Sequence, residues 1–121
     1  MKIYVGHSTS YNFREELYAP IQDSVLVREH TVVLPHVDSD EQFSSKEFFA
    51  NDCELFIAEV SYASTGLGIE IGWADTQGVP ILFVHAAGSK PSGALSAVEG
   101  EVVTYASAEE LISIIQNTVN K

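Results

Sequence analysis

Short apolar runs and amphipathic stretches alternate along the chain, and the alternation predicts a repeating order of strands and helices. Lys2–Gly6 reads as a first strand, followed by a helix from about Tyr11 to Asp23. Thr31–Leu34 reads as a second strand, stopped by Pro35. Ser44–Asn51 reads as a short helix, with Ser44 and Glu47 spaced as a capping box. Leu55–Val60 is apolar apart from Glu59, as expected for a strand buried on both faces. A helix from about Ser64 to Gln77 ends at Gly78, a residue type common just past a helix C-terminus. Pro80–His85 and Val102–Tyr105 read as the fourth and fifth strands. Ser107 and Glu110 form a second capping box, which opens a last helix to about Val119.

Strands that alternate with helices predict a parallel sheet with helices on both faces. The expected fold class is therefore α/β: a three-layer sandwich with a five-stranded parallel sheet, flavodoxin-like or Rossmann-like. In such sheets ligands sit beyond the carboxyl ends of the strands, where the strand order switches direction. That rule singles out the loops Gly6–Ser10, Ser61–Gly68 and Ala86–Ser96.

Composition narrows the picture. The 121 residues suit one domain, 1–121, and the apolar share of 45% is that of an ordinary globular protein. No apolar run approaches the ~20 residues that span a bilayer. The strand pattern begins at once, so no signal peptide is expected. The single cysteine, Cys53, suits a reducing cytoplasm and reads as a small core residue. Net charge is −11, from 17 acids against six scattered bases, which argues against polymeric nucleic acid and anionic membranes as partners. A small anionic ligand is still allowed, because backbone N–H groups at a helix start can hold a phosphate.

The loop after the third strand is the richest in chemistry. Gly66 and Gly68 open a helix at a cost of roughly 1 kcal/mol each against alanine, which suggests close approach of something to the backbone. A helical side chain leans over the preceding turn, so Glu70 should lie over Gly66 and Leu67, with open space above it. The helix N-terminus favours an ionised carboxylate there, as a nucleophile requires. Equally, the glycines can serve packing and Glu70 can be a solvated helix residue; spacing alone leaves the two readings level. Among the histidines, His7 sits in the first loop within reach of a ligand, and His36 and His85 end strands at one sheet edge. No pair has a metal-ligand spacing, so no metal is expected.

The segment Glu59-Val60-Ser61-Tyr62-Ala63-Ser64-Thr65-Gly66-Leu67-Gly68-Ile69-Glu70-Ile71-Gly72-Trp73-Ala74 resembles the signature of the nucleoside 2-deoxyribosyltransferase family, which includes the 2′-deoxynucleoside 5′-phosphate N-hydrolases. The resemblance implies a compact flavodoxin-type sandwich in which Glu70 attacks C1′ of the sugar. Tyr4-Val5-Gly6 looks like the family's first strand, whose tyrosine positions that glutamate. Leu95-Ser96-Ala97 resembles a segment that reaches a neighbouring subunit's site and contacts phosphate, which implies a homodimer or higher homo-oligomer. The substrate would be a small deoxynucleoside or deoxynucleotide, held by Gly6, His7, Ser8, Ser64, Gly66, Gly68 and Ser96, with no cofactor. One departure stands out. The family carries a base-contacting aspartate eight residues before the acid that opens the third strand. Glu54 takes that acidic position here, and counting back eight gives Lys46. Glu47, Asp38 and Asp40 are then the candidates for the general acid.

Ser64 lies six residues before Glu70, where transferases of free nucleosides carry an aspartate for the 5′-hydroxyl. A serine can donate to a 5′-phosphate, and Ser8, Thr9 and Ser10 add donors without negative charge, so the balance tips toward 5′-monophosphates and hydrolysis. The alternative from another class is a catalytically silent nucleotide-binding module on the same scaffold, favoured by Lys46.

Overall fold

The computed structural model describes residues 1–37 and 45–121. Five parallel strands, β1 (Lys2–His7), β2 (Thr31–Val33), β3 (Leu55–Glu59), β4 (Ile81–Ala86) and β5 (Glu101–Tyr105), form one sheet in the order β2-β1-β3-β4-β5. That is the flavodoxin order, and its switch point lies between β1 and β3. The α/β expectation holds. The strand ends differ from those expected by a residue, the ordinary scatter of element boundaries.

Alternation along the strands divides the buried residues into two layers. Ile3 and Val5 of β1, Leu55 and Ile57 of β3, and Leu82 and Val84 of β4 face one side. There they pack under Leu17 and Ile21 and under Leu111 and Ile115 of α5 (Ala108–Val119). Tyr4, Phe56, Ala58, Ile81 and Phe83 face the other side, with Phe49 of α3 (Ser45–Asn51) and Leu67, Ile71 and Ala74 of α4 (Thr65–Thr76). No helix of the described residues is long and apolar enough to cross a membrane.

The expected helix from Tyr11 to Asp23 is present as one unbroken helical stretch over residues 13–22, part of it wound as a π-helix. A π-helical turn at Arg14–Tyr18 runs into α1 (Ala19–Gln22), and a separate α2 (Leu26–Glu29) follows. Pro20 lies inside this stretch; it has no N–H to donate to an earlier carbonyl, and the π-helical turn just before it is where the regular bonding pattern gives way. At Ser107 the hydroxyl accepts from Glu110 N at 3.1 Å, as a capping box requires, while Glu110 reaches back one residue beyond the cap, to Ala106 N at 3.3 Å. The capping box expected at Ser44 lies outside the described residues.

Gly6 controls how closely α4 approaches the sheet. A Cβ at this position would stand 2.6 Å from the Phe56 ring and 3.1 Å from Leu67. Its lack of a side chain is thus required by packing within the layer that holds Tyr4.

Candidate active site

Strand alternation carries Tyr4 to the α4 side of the sheet, and helix periodicity brings Glu70 to meet it. Leu67, Glu70, Ile71 and Ala74 follow the i, i+3, i+4, i+7 spacing of one buried stripe. Glu70 is therefore not a solvated surface residue; it is 6% exposed. The Tyr4 hydroxyl donates to Glu70 Oε2 at 2.6 Å. Tyr4 is held in place by aromatic contacts to Phe49 (5.0 Å, edge-on) and Phe56 (5.5 Å).

Burial decides the electrostatics of the pair. Desolvation raises the Glu70 pKa above the ordinary carboxylate value, and the Tyr4 hydrogen bond, then Ser45 and His36, offset part of that rise. The helix N-terminus does not outweigh the loss of water. Burial, and then the charge of Glu70, push the Tyr4 phenol well above its usual value. Tyr4 consequently stays protonated and acts as a donor.

The start of α4 is open around its two glycines. A Cβ on Gly66 or Gly68 would meet nothing within 4 Å, so neither glycine serves packing inside the chain. Ser64 caps α4: its Oγ accepts from Leu67 N at 3.5 Å, which leaves the hydroxyl proton free to donate. Beside this turn lies a cleft of about 390 Å³ whose walls include Ser64, Leu67, Ile71 and Leu95. Glu70 does not line it, because the glutamate points to the β1 side of α4.

His7 lies on the opposite side of the sheet from Tyr4. It shares the alternation of Ile3 and Val5, and its ring packs on Phe13 (4.4 Å) and Tyr18 (5.0 Å). Its Nδ1 donates to Ser8 O at 2.8 Å. Its Nε2 accepts from the Tyr18 hydroxyl at 2.6 Å, and that hydroxyl accepts from His36 N at 3.0 Å. Burial lowers the His7 pKa to about 4, so the ring is neutral and both nitrogens are engaged within the protein. The expected ligand contact from His7 thus gives way to a structural role: the ring fixes the loop that carries Ser8. Ser8 is buried too, paired with Ser10 Oγ at 2.8 Å.

The remaining candidates disperse. Glu47 is exposed on α3, while the buried side of that helix presents Ser45 and Phe49. Lys46 lies over the Trp73 ring at 5.8 Å. Asp38 and Asp40 lie outside the described residues. Ser96 is exposed on a 3₁₀ turn (Gly93–Ala97), where its hydroxyl donates to Gly93 O at 2.9 Å. Cys53 is partly buried, and burial raises its thiol to about 11, which disfavours a thiolate.

A second buried carboxylate was not anticipated. Glu59 ends β3 on the side away from Glu70, and it accepts from Ser61 N (2.6 Å), Ser61 Oγ (2.9 Å) and the Tyr105 hydroxyl. Ser61 Oγ also accepts from Ala86 N at 2.8 Å. The cluster ties the ends of β3, β4 and β5 together and anchors the start of the loop leading to α4. Strand alternation from Leu55 and Ile57 could have assigned Glu59 to this side; the partners that hold it come from distant segments.

No protein-family model matches the sequence. No curated protein matches it. Among solved structures, the chain is similar to the Clostridium botulinum CMP N-glycosidase BcmB, with a TM-score of 0.64 and 20% identity, over 96% of this chain and 98% of that one. The two chains share one fold from end to end. The flavodoxin-type sandwich implied by the sequence signature is the observed architecture.

Proposed function

We propose that the protein cleaves the N-glycosidic bond of a nucleoside 5′-monophosphate, with Glu70 as nucleophile. The observation that carries this reading is the buried carboxylate of Glu70 held by the Tyr4 hydroxyl at 2.6 Å, beside an open helix start. The fold shared with a CMP N-glycosidase supports it.

The chemistry runs in two displacements. One oxygen of Glu70 attacks C1′ and forms a glycosyl ester, while the C1′–N bond breaks and its electron pair leaves with the base nitrogen. That nitrogen takes a proton from a general acid, for which Asp38, Asp40 and Glu47 stay the candidates. Water then attacks C1′, gives a proton back to the conjugate base of that acid, restores the Glu70 carboxylate and releases the sugar phosphate. A second base in place of water would make the reaction a transfer. Tyr4 keeps the nucleophile aimed and partly ionised; Ser64 donates to the 5′-phosphate.

The sequence signature favours a 2′-deoxynucleotide. The substrate in the name of the structural neighbour, CMP, favours a ribonucleotide, so the 2′ position is the point of choice. Incubation with ribo- and deoxyribonucleosides and their 5′-monophosphates, followed by chromatography for free base, tests both. Base released only from monophosphates supports the reading; binding without release from any of them leaves the silent nucleotide-binding module.

A further inference from the structure

One polar group beside Tyr4 and Glu70 is unused by the steps above. Ser45, the first residue of α3, is 0% exposed, and its Oγ has no hydrogen-bond partner among the described residues. A buried hydroxyl without a partner has given up its bonds to water and gained none, and natural folds keep few of them. Helix geometry fixes where it stands. Ser45 and Phe49 lie four residues apart on one face of α3, and both are buried. Phe49 packs edge-on against the Tyr4 ring at 5.0 Å, and the far end of that ring is the hydroxyl bound to Glu70. Ser45 is therefore one turn along from Phe49, next to the pair.

We propose that Ser45 is a positioning residue for Glu70: its hydroxyl rotates to donate to the ionised carboxylate, so that Tyr4 and Ser45 hold it between them for attack on the sugar. The inference deepens the N-glycosidase reading and rests on it. Hydrogen bonds of catalytic groups are often misaligned in an empty site and tighten when substrate arrives. Glu70 is faced by Tyr4 from β1, Ser45 from α3 and His36 from the segment after β2, and Tyr18 feels its charge from the helical turn before α1. Against the larger burial penalty, Tyr4, Ser45 and His36 all favour the charged form of Glu70. Lys46, the next residue of α3, lies over the Trp73 ring, so Ser45 is the group of this helix turn that faces the pair, Tyr4 as well as Glu70.

The test is Ser45→Ala, with the Glu70 carboxyl carbon followed by NMR through a pH titration of the substrate-free protein, alongside the pH profile of kcat and KM. Loss of one hydrogen bond to the ionised form should raise the Glu70 pKa by about one unit. The acidic limb of kcat should move with it, giving roughly tenfold lower kcat below the limb with KM unchanged. If the hydroxyl is merely an unpaired buried group, its removal raises the thermal midpoint and leaves both the titration and the limb where they were; that result overturns the proposal. The titration needs no substrate. Wild-type protein that releases no base from any nucleotide would refute the enzyme reading while the NMR shift still decides the role of Ser45. A titration that moves without the limb would keep Ser45 on Glu70 and remove Glu70 from the chemistry.

Discussion

Replacing Tyr4 with phenylalanine removes one oxygen from the centre of the site and leaves the packing intact. The ring keeps its contacts to Phe49 at 5.0 Å and Phe56 at 5.5 Å, so the fold should survive. What disappears is the 2.6 Å donation to Glu70 Oε2. A hydrogen bond to a charged acceptor contributes about 1.5–3 kcal/mol, and about 1.4 kcal/mol corresponds to one pKa unit. Glu70, already raised by burial, should rise by a further one to two units, roughly. Because the nucleophile must be ionised, the acidic limb of the kcat/KM profile should move up by the same amount. Activity at a pH below the limb should fall about 10- to 100-fold and recover as the pH rises past the shifted limb. The assay is base release from the best nucleotide at a series of pH values, with circular dichroism as a check on folding. Superimposable acidic limbs for wild type and variant would refute the coupling between Tyr4 and Glu70.

Further outcomes follow from the same geometry. Because burial raises the folded-state pKa of Glu70, its stabilising contribution is present below the unfolded value of about 4.3 and lost as pH rises through the folded value. Glu70→Gln should therefore melt above wild type at neutral pH, with the gap closing near pH 4; a lower midpoint at neutral pH would contradict this. Ser64→Asp would set a carboxylate against the 5′-phosphate. Two charges ~4 Å apart at an effective dielectric of 20 repel by about 4 kcal/mol before screening, so the kcat/KM ratio of nucleotide to nucleoside should fall sharply. An unchanged ratio would remove Ser64 from the 5′ end. Gly6→Ala places a Cβ 2.6 Å from the Phe56 ring and should cost about 1–3 kcal/mol in denaturant unfolding. Ser96 is exposed on its turn, and the proposed homodimer would use it on a neighbouring site; sedimentation should find no dominant monomer, and a fully active monomer would rule that out.

The layers were legible from period, whereas the pairing of Tyr4 with Glu70 came from the resemblance to a family signature, spacing alone having left Glu70 open. Alternation along Ile3, Tyr4 and Val5 sends Tyr4 to one side, and the spacing of Leu67, Glu70, Ile71 and Ala74 sends Glu70 inward to meet it. Applied one step further, the same alternation assigns His7 to the side of Ile3 and Val5, away from Tyr4. Proximity to the loop suggested a ligand contact, whereas strand alternation decides the direction of the ring. Ser45 was hidden for another reason. Its neighbour Ser44 fits the capping spacing with Glu47, and nothing local distinguishes a capping serine from one buried against another helix. The π-helical turn at Arg14–Tyr18 and the four residues of α2 fall below the length at which periodicity speaks. The Glu59 cluster draws on Ser61, Ala86 and Tyr105, residues up to 46 positions away, and such a meeting exists only after folding.

The most direct measurement is base release by wild type and Glu70→Gln, side by side, from the nucleoside 5′-monophosphates. Glutamine keeps the size of the side chain and can still accept from Tyr4, but it cannot attack C1′ as an anion. Wild type should release free base from at least one monophosphate, and the variant, folded by circular dichroism, should release none above the uncatalysed rate. Equal release by the two proteins would contradict a nucleophilic Glu70.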